Sequence, residues 1–253
     1  MKYDIVCLIE VKTPLRVCLP GYVSYTNNNK VSPHRGGTVV MVKNYLAQSN
    51  VRADTGTEDQ VWLQLRSLPR VVISLCYIPP SDSPYFSHSS FASIQEKMME
   101  NGTDKKYIII GDFNARFGEY VRDLPMRAEL PCYDAYSYPH IPDHVDRLND
   151  SAHVLATLCI DHKFVVVNNL RVREKEFSSN VTYKQGDMWI SELDICITSC
   201  NMIDHIDEFS VHQTDFLPSD HAPISLQLSI SDIEMNDLFT RACQLGDHAI
   251  PKH

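Results

Sequence analysis

The run Tyr107 to Arg116, YIIIGDFNAR, constrains the fold of this chain more than any other. An apolar strand stops abruptly at Gly111, and Asp112, Phe113 and Asn114 follow at once. Consecutive isoleucines favour a buried strand, and the end of such a strand delivers polar side chains from a rigid support to the rim of a sheet. Taken alone, Asp and Asn after Gly are common turn formers, and a bare GDxN is more often a turn than a site. The full run is far more specific than its last four residues.

Other short runs rich in β-branched residues, bounded by turn formers, predict strands over 3–9, 37–43, 60–65, 71–77, 107–110, 164–168, 193–198 and 224–230. The 60–65 and 71–77 runs, joined through Pro69, read as a hairpin, so the connectivity is partly antiparallel. Apolar residues recurring at three- and four-residue intervals predict helices over 87–101 and 149–162. The 118–146 segment, broken by Pro125, Pro131, Pro139 and Pro142, reads as a long surface loop. Strands interspersed with a few helices, without strict alternation, favour an α+β fold, a four-layer α/β/β/α sandwich, over a doubly wound parallel sheet.

With 253 residues, 43% hydrophobic and 22% charged, the chain can bury one sizeable core. It is read as one domain over 1–232 with a tail over 233–253. A formal net charge of -9 argues against a broad basic face for nucleic acid, because such binding draws on counterion release, so any contact of that kind has to be local. Cys7, Cys76 and Cys159 lie in apolar runs, where a thiol behaves as a small hydrophobe, and Cys196 and Cys200 have no second pair at zinc-ligand spacing. The expectation is a reduced, intracellular chain. The start, MKYDIVCLIE, is too short and too soon charged for a signal peptide or a membrane span.

The second chemical signal is Ser219, Asp220 and His221 at the head of the 224–230 strand. A His beside a carboxylate suits a base or a metal site, because imidazole titrates near working pH and Asp can bind a cation. The pair is weak by itself and gains weight from partners. Glu10 closes the first apolar strand, and Asp194 lies inside SELDICITS, where an acid is costly unless it is paired. Asp194 can orient a His.

Taken in order, IE at Glu10, RGGTVVMV from Arg35, CYIPP from Cys76, GDFNAR from Gly111, LDICITS from Leu193 and SDHAPI from Ser219 resemble the endonuclease/exonuclease/phosphatase superfamily. Within it the chain resembles the apurinic/apyrimidinic-endonuclease-like endonuclease of non-LTR retrotransposons. The stretches 149–169 and 182–191 are similar to that branch as well. The resemblance implies a DNase I-like sandwich and hydrolysis of phosphodiester bonds with magnesium, or manganese. Glu10 and Asp220 would hold the metal. Asp112 and Asn114 would position the nucleophile, His221 would act as base or as electrostatic partner of the phosphate, Asp194 would fix its tautomer, and Tyr77 would hydrogen-bond a phosphate oxygen. Family members begin with a strand bearing an Asn, then a helix, before the Glu strand. Only nine residues precede Glu10, so the expectation is a domain lacking its first strand and helix, with an unpaired edge and a thinned metal site.

The partner implied is DNA, with no membrane and with a place in a longer polyprotein carrying a reverse transcriptase; a nuclear location would follow from the substrate. Two rival functions stand beside DNA nicking: phosphoester hydrolysis on lipid headgroups, whose branch-specific inserts are not recognisable, and an inactive binding module. His34, His88, His140, His144, His153, His162, His205 and His212 lack motif partners and read as surface residues. Arg35 and Arg116 read equally as phosphate contacts or solvated arginines, Trp62 as packing, and Trp189 as packing or, from a loop, a stacking residue for a base.

Overall fold

The computed structural model describes residues 3–11, 18–27, 37–47, 51–54, 59–87, 89–141, 148–177, 181–214 and 219–229. Strands β1 (Ile5–Leu8), β2 (Tyr22–Asn27) and β3 (Thr38–Lys43) form an antiparallel sheet in the order β1-β3-β2. After α1 (Asn44–Ala47) come β4 (Val51–Asp54), β5 (Gln60–Leu65), β6 (Val71–Tyr77), α2 (Ser89–Asn101) and β7 (Lys106–Asp112). Then follow α3 (Leu124–Arg127), β8 (Tyr136–Ser137), α4 (Asp150–His162) and β9 (Phe164–Val166). Two short ribbons, β10 (Arg171–Val172) with β11 (Lys175–Glu176) and β12 (Tyr183–Gln185) with β13 (Met188–Ser191), precede β14 (Asp194–Ser199). An antiparallel pair, β15 (Ile206–Val211) and β16 (Ile224–Leu228), closes the described chain.

The site is carried by a six-stranded sheet of order β4-β5-β6-β7-β14-β9. β5 and β6 are the expected hairpin, and β6 runs parallel to β7, the crossover being α2. Residues Phe91, Ile94 and Met98 of α2 and Leu155, Leu158 and Cys159 of α4 enter the large core on one face of this sheet. On the other face Val40 and Val42 of β3 pack on Val61, Leu63 and Leu75, with Ile5 and Cys7 of β1 beside them. The middle strands are therefore covered on both sides, which explains why 71–77 and 107–110 read as continuous apolar runs without alternation. Helix α4 is capped by the side chain of Asn149, which accepts from the Ala152 N–H at 3.0 Å, and it ends at Lys163 in the left-handed region (φ 55°).

The expected hairpin strands keep their bounds, and the other expected strands and both helices shift by a few residues at most. The 118–146 segment differs from the expected loop. Its described part holds a 3-10 turn (Gly118–Asp123), α3, a second such turn (Tyr133–Ala135) and β8. Val121, Leu124, Leu130, Tyr138 and Ile141 are buried in the large core. Pro125 stands in the first turn of α3, where a missing N–H costs nothing, so this proline starts structure instead of breaking it. Trp189 lies in β13, not in a loop, and His205 is buried, at the end of a 3-10 turn. Strands β2, β4 and β15 and the short β8 and β10 to β13 fall outside the expected runs, because YVSYTN, VRAD, IDEFSV and the two- to four-residue pieces show too few apolar residues in a row. The described cysteines are free, and burial pushes the Cys76 thiol up to about 12. No described helix is long and apolar enough to cross a membrane. Arg35, His34, His88, His144 and the 233–253 tail lie outside the described residues.

Candidate functional site

Glycine near the end of β7 has a steric cause. Gly111 takes φ 152°, and a Cβ there would stand 1.8 Å from the carbonyl oxygen of Cys76, its partner on β6. With no side chain at 111, the two parallel strands close up, and Asp112 follows as the last residue of β7. The antiparallel register pairs Asp112 with Asp194, the first residue of β14, so two carboxylates come side by side at one rim of the sheet. Both are buried, at 3% and 5% exposure.

His221 lies between them. Its Nδ1 is 2.8 Å from Asp194 Oδ2, and its Nε2 is 4.0 Å from Asp112 Oδ2. With Nδ1–H donated to Asp194, Nε2 is turned toward Asp112. The Tyr183 ring packs on the imidazole, with centroids 5.2 Å apart, and the two residues share an isolated antiparallel bridge. The Ser219 hydroxyl accepts the His221 N–H at 3.0 Å, which turns the chain into the site just before β16.

Asn114 follows Asp112 by two residues and takes the left-handed region (φ 47°), which Asn tolerates better than most side chains. Its N–H donates to Asp112 Oδ1 at 2.9 Å and its Nδ2 to Asp112 Oδ2 at 3.1 Å, so both carboxylate oxygens are held. The same Nδ2 donates to the Ile78 carbonyl. Asn149, the cap of α4, donates to the Asn114 carbonyl at 2.7 Å and accepts from Arg116 N–H, tying the site loop to the helix start. Its side chain thus has a second task beyond capping the helix, one that no local sequence pattern marks.

On the opposite side Tyr77, the last residue of β6, donates its hydroxyl to Glu10 Oε1. Burial first, then Glu10, pushes the phenol far above its ordinary range, so Tyr77 remains a donor at any working pH. Glu10 and Asp220 are exposed at the rim. Among the described residues no three His, Cys, Asp or Glu converge into a cage that could hold a metal by itself. Glu10 and Asp220 are nonetheless hard oxygen donors of the kind Mg2+ takes, which is commonly held by one or two carboxylates with its remaining positions on water. The seven expected site residues thus fall into two hydrogen-bonded groups, Asp112–Asn114 with Asp194–His221 and Tyr77–Glu10, with Asp220 adjoining the first through its peptide bond to His221.

Burial and the neighbouring Asp194 charge raise the Asp112 carboxyl well above the usual range, against the opposing pull of His221. For His221, burial disfavours the charged ring, but the hydrogen bond to Asp194 and the charges of Asp194, Asp112 and Asp220 outweigh it and lift the imidazole to about 9. A pKa raised on folding stabilises the protein below the unfolded value of 6.5 and loses that contribution as pH rises through about 9. Without divalent cation, an NMR titration of the His221 ring is expected to centre near 9, and Asp194→Asn to bring the midpoint down. A wild-type midpoint in the ordinary imidazole range would contradict the Asp194 contact.

A profile of the endonuclease-reverse transcriptase family matches residues 71–225. Among solved structures the chain is similar to a 3′ phosphatase, NExo, from Neisseria bound to a product DNA hairpin, at 17% identity and TM-score 0.58, covering 89% of each chain. It is similar to the 3′-5′ exonuclease from Neisseria meningitidis at 16% identity and TM-score 0.57, again over 89% of each chain. It is also similar to an AP endonuclease from Leishmania major at 14% identity and TM-score 0.62, covering 89% of this chain and 78% of that one. No curated protein matches. At these identities the structural likeness establishes the DNase I-like fold, as the sequence motifs implied.

Proposed function

Since this chain belongs to the endonuclease-reverse transcriptase family, we propose that it is a divalent-metal-dependent phosphodiesterase that nicks DNA and leaves a 3′-hydroxyl. The observation that carries the reading is His221 set between two buried carboxylates, 2.8 Å from Asp194 and 4.0 Å from Asp112. Phosphodiester hydrolysis needs a positioned water, a proton acceptor and relief of oxygen charge. Asp112, made more basic by burial, suits the acceptor, and the Asn114 amide keeps its carboxylate in one orientation. His221, cationic at neutral pH and anchored by Asp194, suits the electrostatic partner of a phosphate oxygen. Tyr77 offers a phenol that stays protonated. Glu10 and Asp220 would hold the cation, which supplies further charge relief to the phosphate oxygens when bound.

DNA as substrate is supported by the family, and the net charge of -9 implies that contacts with it are local. The reading also carries the expectation of a reverse transcriptase as neighbour in a longer polyprotein. Incubation of the purified chain with supercoiled plasmid is expected to give open circles with magnesium and none with EDTA, and the nick to prime a polymerase. Intact supercoil in both arms would overturn this function.

A further inference from the structure

Asp194 stands where its sheet has run out of strand. Along β14, residues 194, 196 and 198 turn their peptide groups toward β9, while Leu193 turns toward β7 and its carbonyl accepts from Phe113. Strand β9 pairs with β14 only from Ile197 to Ser199, and beyond Val167 the chain turns away through Asn169 in the left-handed region (φ 56°). The Asp194 peptide therefore faces the side that β9 has vacated. Unpaired in a buried position it would be costly and free to shift.

Two side chains take the place of the strand. The Asn168 carboxamide acts as one more peptide unit: Oδ1 accepts the Cys196 N–H at 2.9 Å and Nδ2 donates to the Asp194 carbonyl at 3.0 Å. Glu192 fixes the sense of that amide by accepting from the same Nδ2 at 3.0 Å. From the other jaw, Thr182 Oγ1 accepts the N–H of Leu193 at 2.9 Å and of Asp194 at 3.0 Å. Thr182 is fully buried, and its own carbonyl accepts the N–H of Ala222, the residue after His221. One threonine thus connects the Asp194 backbone to the chain that delivers the imidazole.

We propose that Thr182 and Asn168 are positioning residues, a side-chain clamp that replaces the missing strand and sets the Asp194–His221 pair against Asp112. The clamp rests on the nicking function proposed above, and Thr182, fully buried, has no surface to offer a substrate or a metal. Displacing a catalytic group by about 1 Å can cost on the order of 100-fold in turnover. Thr182→Val keeps the shape and removes the acceptor, whereas Thr182→Ser keeps it.

The test measures kcat and KM for supercoiled plasmid with wild type, Thr182→Val, Thr182→Ala and Thr182→Ser, below the lowest melting temperature of the set. Expected are a kcat loss of about 10- to 100-fold in Val and Ala with KM unchanged, and a Ser variant within about threefold of wild type. In an Asp194→Ala background Thr182→Val is expected to add less than about a twofold loss, since it acts through Asp194. Wild-type turnover in Val and Ala, equal losses in all three variants, or losses that multiply with Asp194→Ala would overturn the clamp. If wild type itself does not nick, the nuclease reading fails, and amide hydrogen exchange still decides on the clamp. Protection at Leu193 and Asp194 lost in Val or Ala and kept in Ser upholds it; equal protection in all overturns it.

Discussion

His221→Ala is expected to lower the magnesium-dependent nicking rate by about 10²- to 10³-fold, the range for losing one electrostatic partner of a charged transition state. Melting should fall at neutral pH, where the charged ring stabilises the fold through buried Asp194, but the variant should remain folded. The ring is half-buried and its anchor, Asp194, is held from its backbone as well. Asp112→Asn should fall as far, because the amide cannot accept a proton and its NH2 would face one of the two Asn114 donors, so that only one of those contacts survives. The measurement is the initial rate of open-circle formation at saturating magnesium, read beside the melting temperature of each variant. Either variant nicking at more than about a tenth of the wild-type rate would remove that residue from the chemistry proposed for it.

The largest stability effect is expected away from any charge, at Gly111→Ala. The added Cβ would lie 1.8 Å from the oxygen and 2.8 Å from the carbon of the Cys76 carbonyl. Those atoms are backbone in the middle of a sheet packed on both faces, so no rotamer change can relieve the contact. Separating β6 from β7 would disturb the register that brings Asp112 beside Asp194. A loss of roughly 3–5 kcal/mol is expected, a large share of the stability of an ordinary domain. Urea denaturation reads it directly. A midpoint indistinguishable from wild type would mean that β6 and β7 do not approach at Gly111 as described.

Many of the side chains that meet at the candidate site are marked along the chain. The run ending in Asp112 announces a buried strand with acids at its rim, and an aspartate inside LDICITS requires a partner wherever it folds. What could not be read from local pattern was the support around these residues. The prolines of 118–146 predict a loop, but Pro125 stands in the first turn of a helix, and Val121, Leu124 and Tyr138 lie in the large core. Thr182 and Asn168 fall in stretches that resemble the retrotransposon branch, but local pattern does not tell their task. It arises only because β9 turns away before reaching Asp194.

The sequence alone determined which side chains could do acid-base and cation chemistry, and which runs would be strands, because side-chain type and short-range pattern are local properties. Only the tertiary structure decided that Asp112 and Asp194 are register partners, that His221 points one nitrogen at each, and that Tyr77 meets Glu10. Those are distances between residues remote in the chain, and strand pairing sets them. Shifting a pairing by one residue would send each side chain to the opposite face of the sheet. The pairing observed is the one in which α2 and α4 cover one face and β3 covers the other, and in which Gly111 allows β6 and β7 to meet.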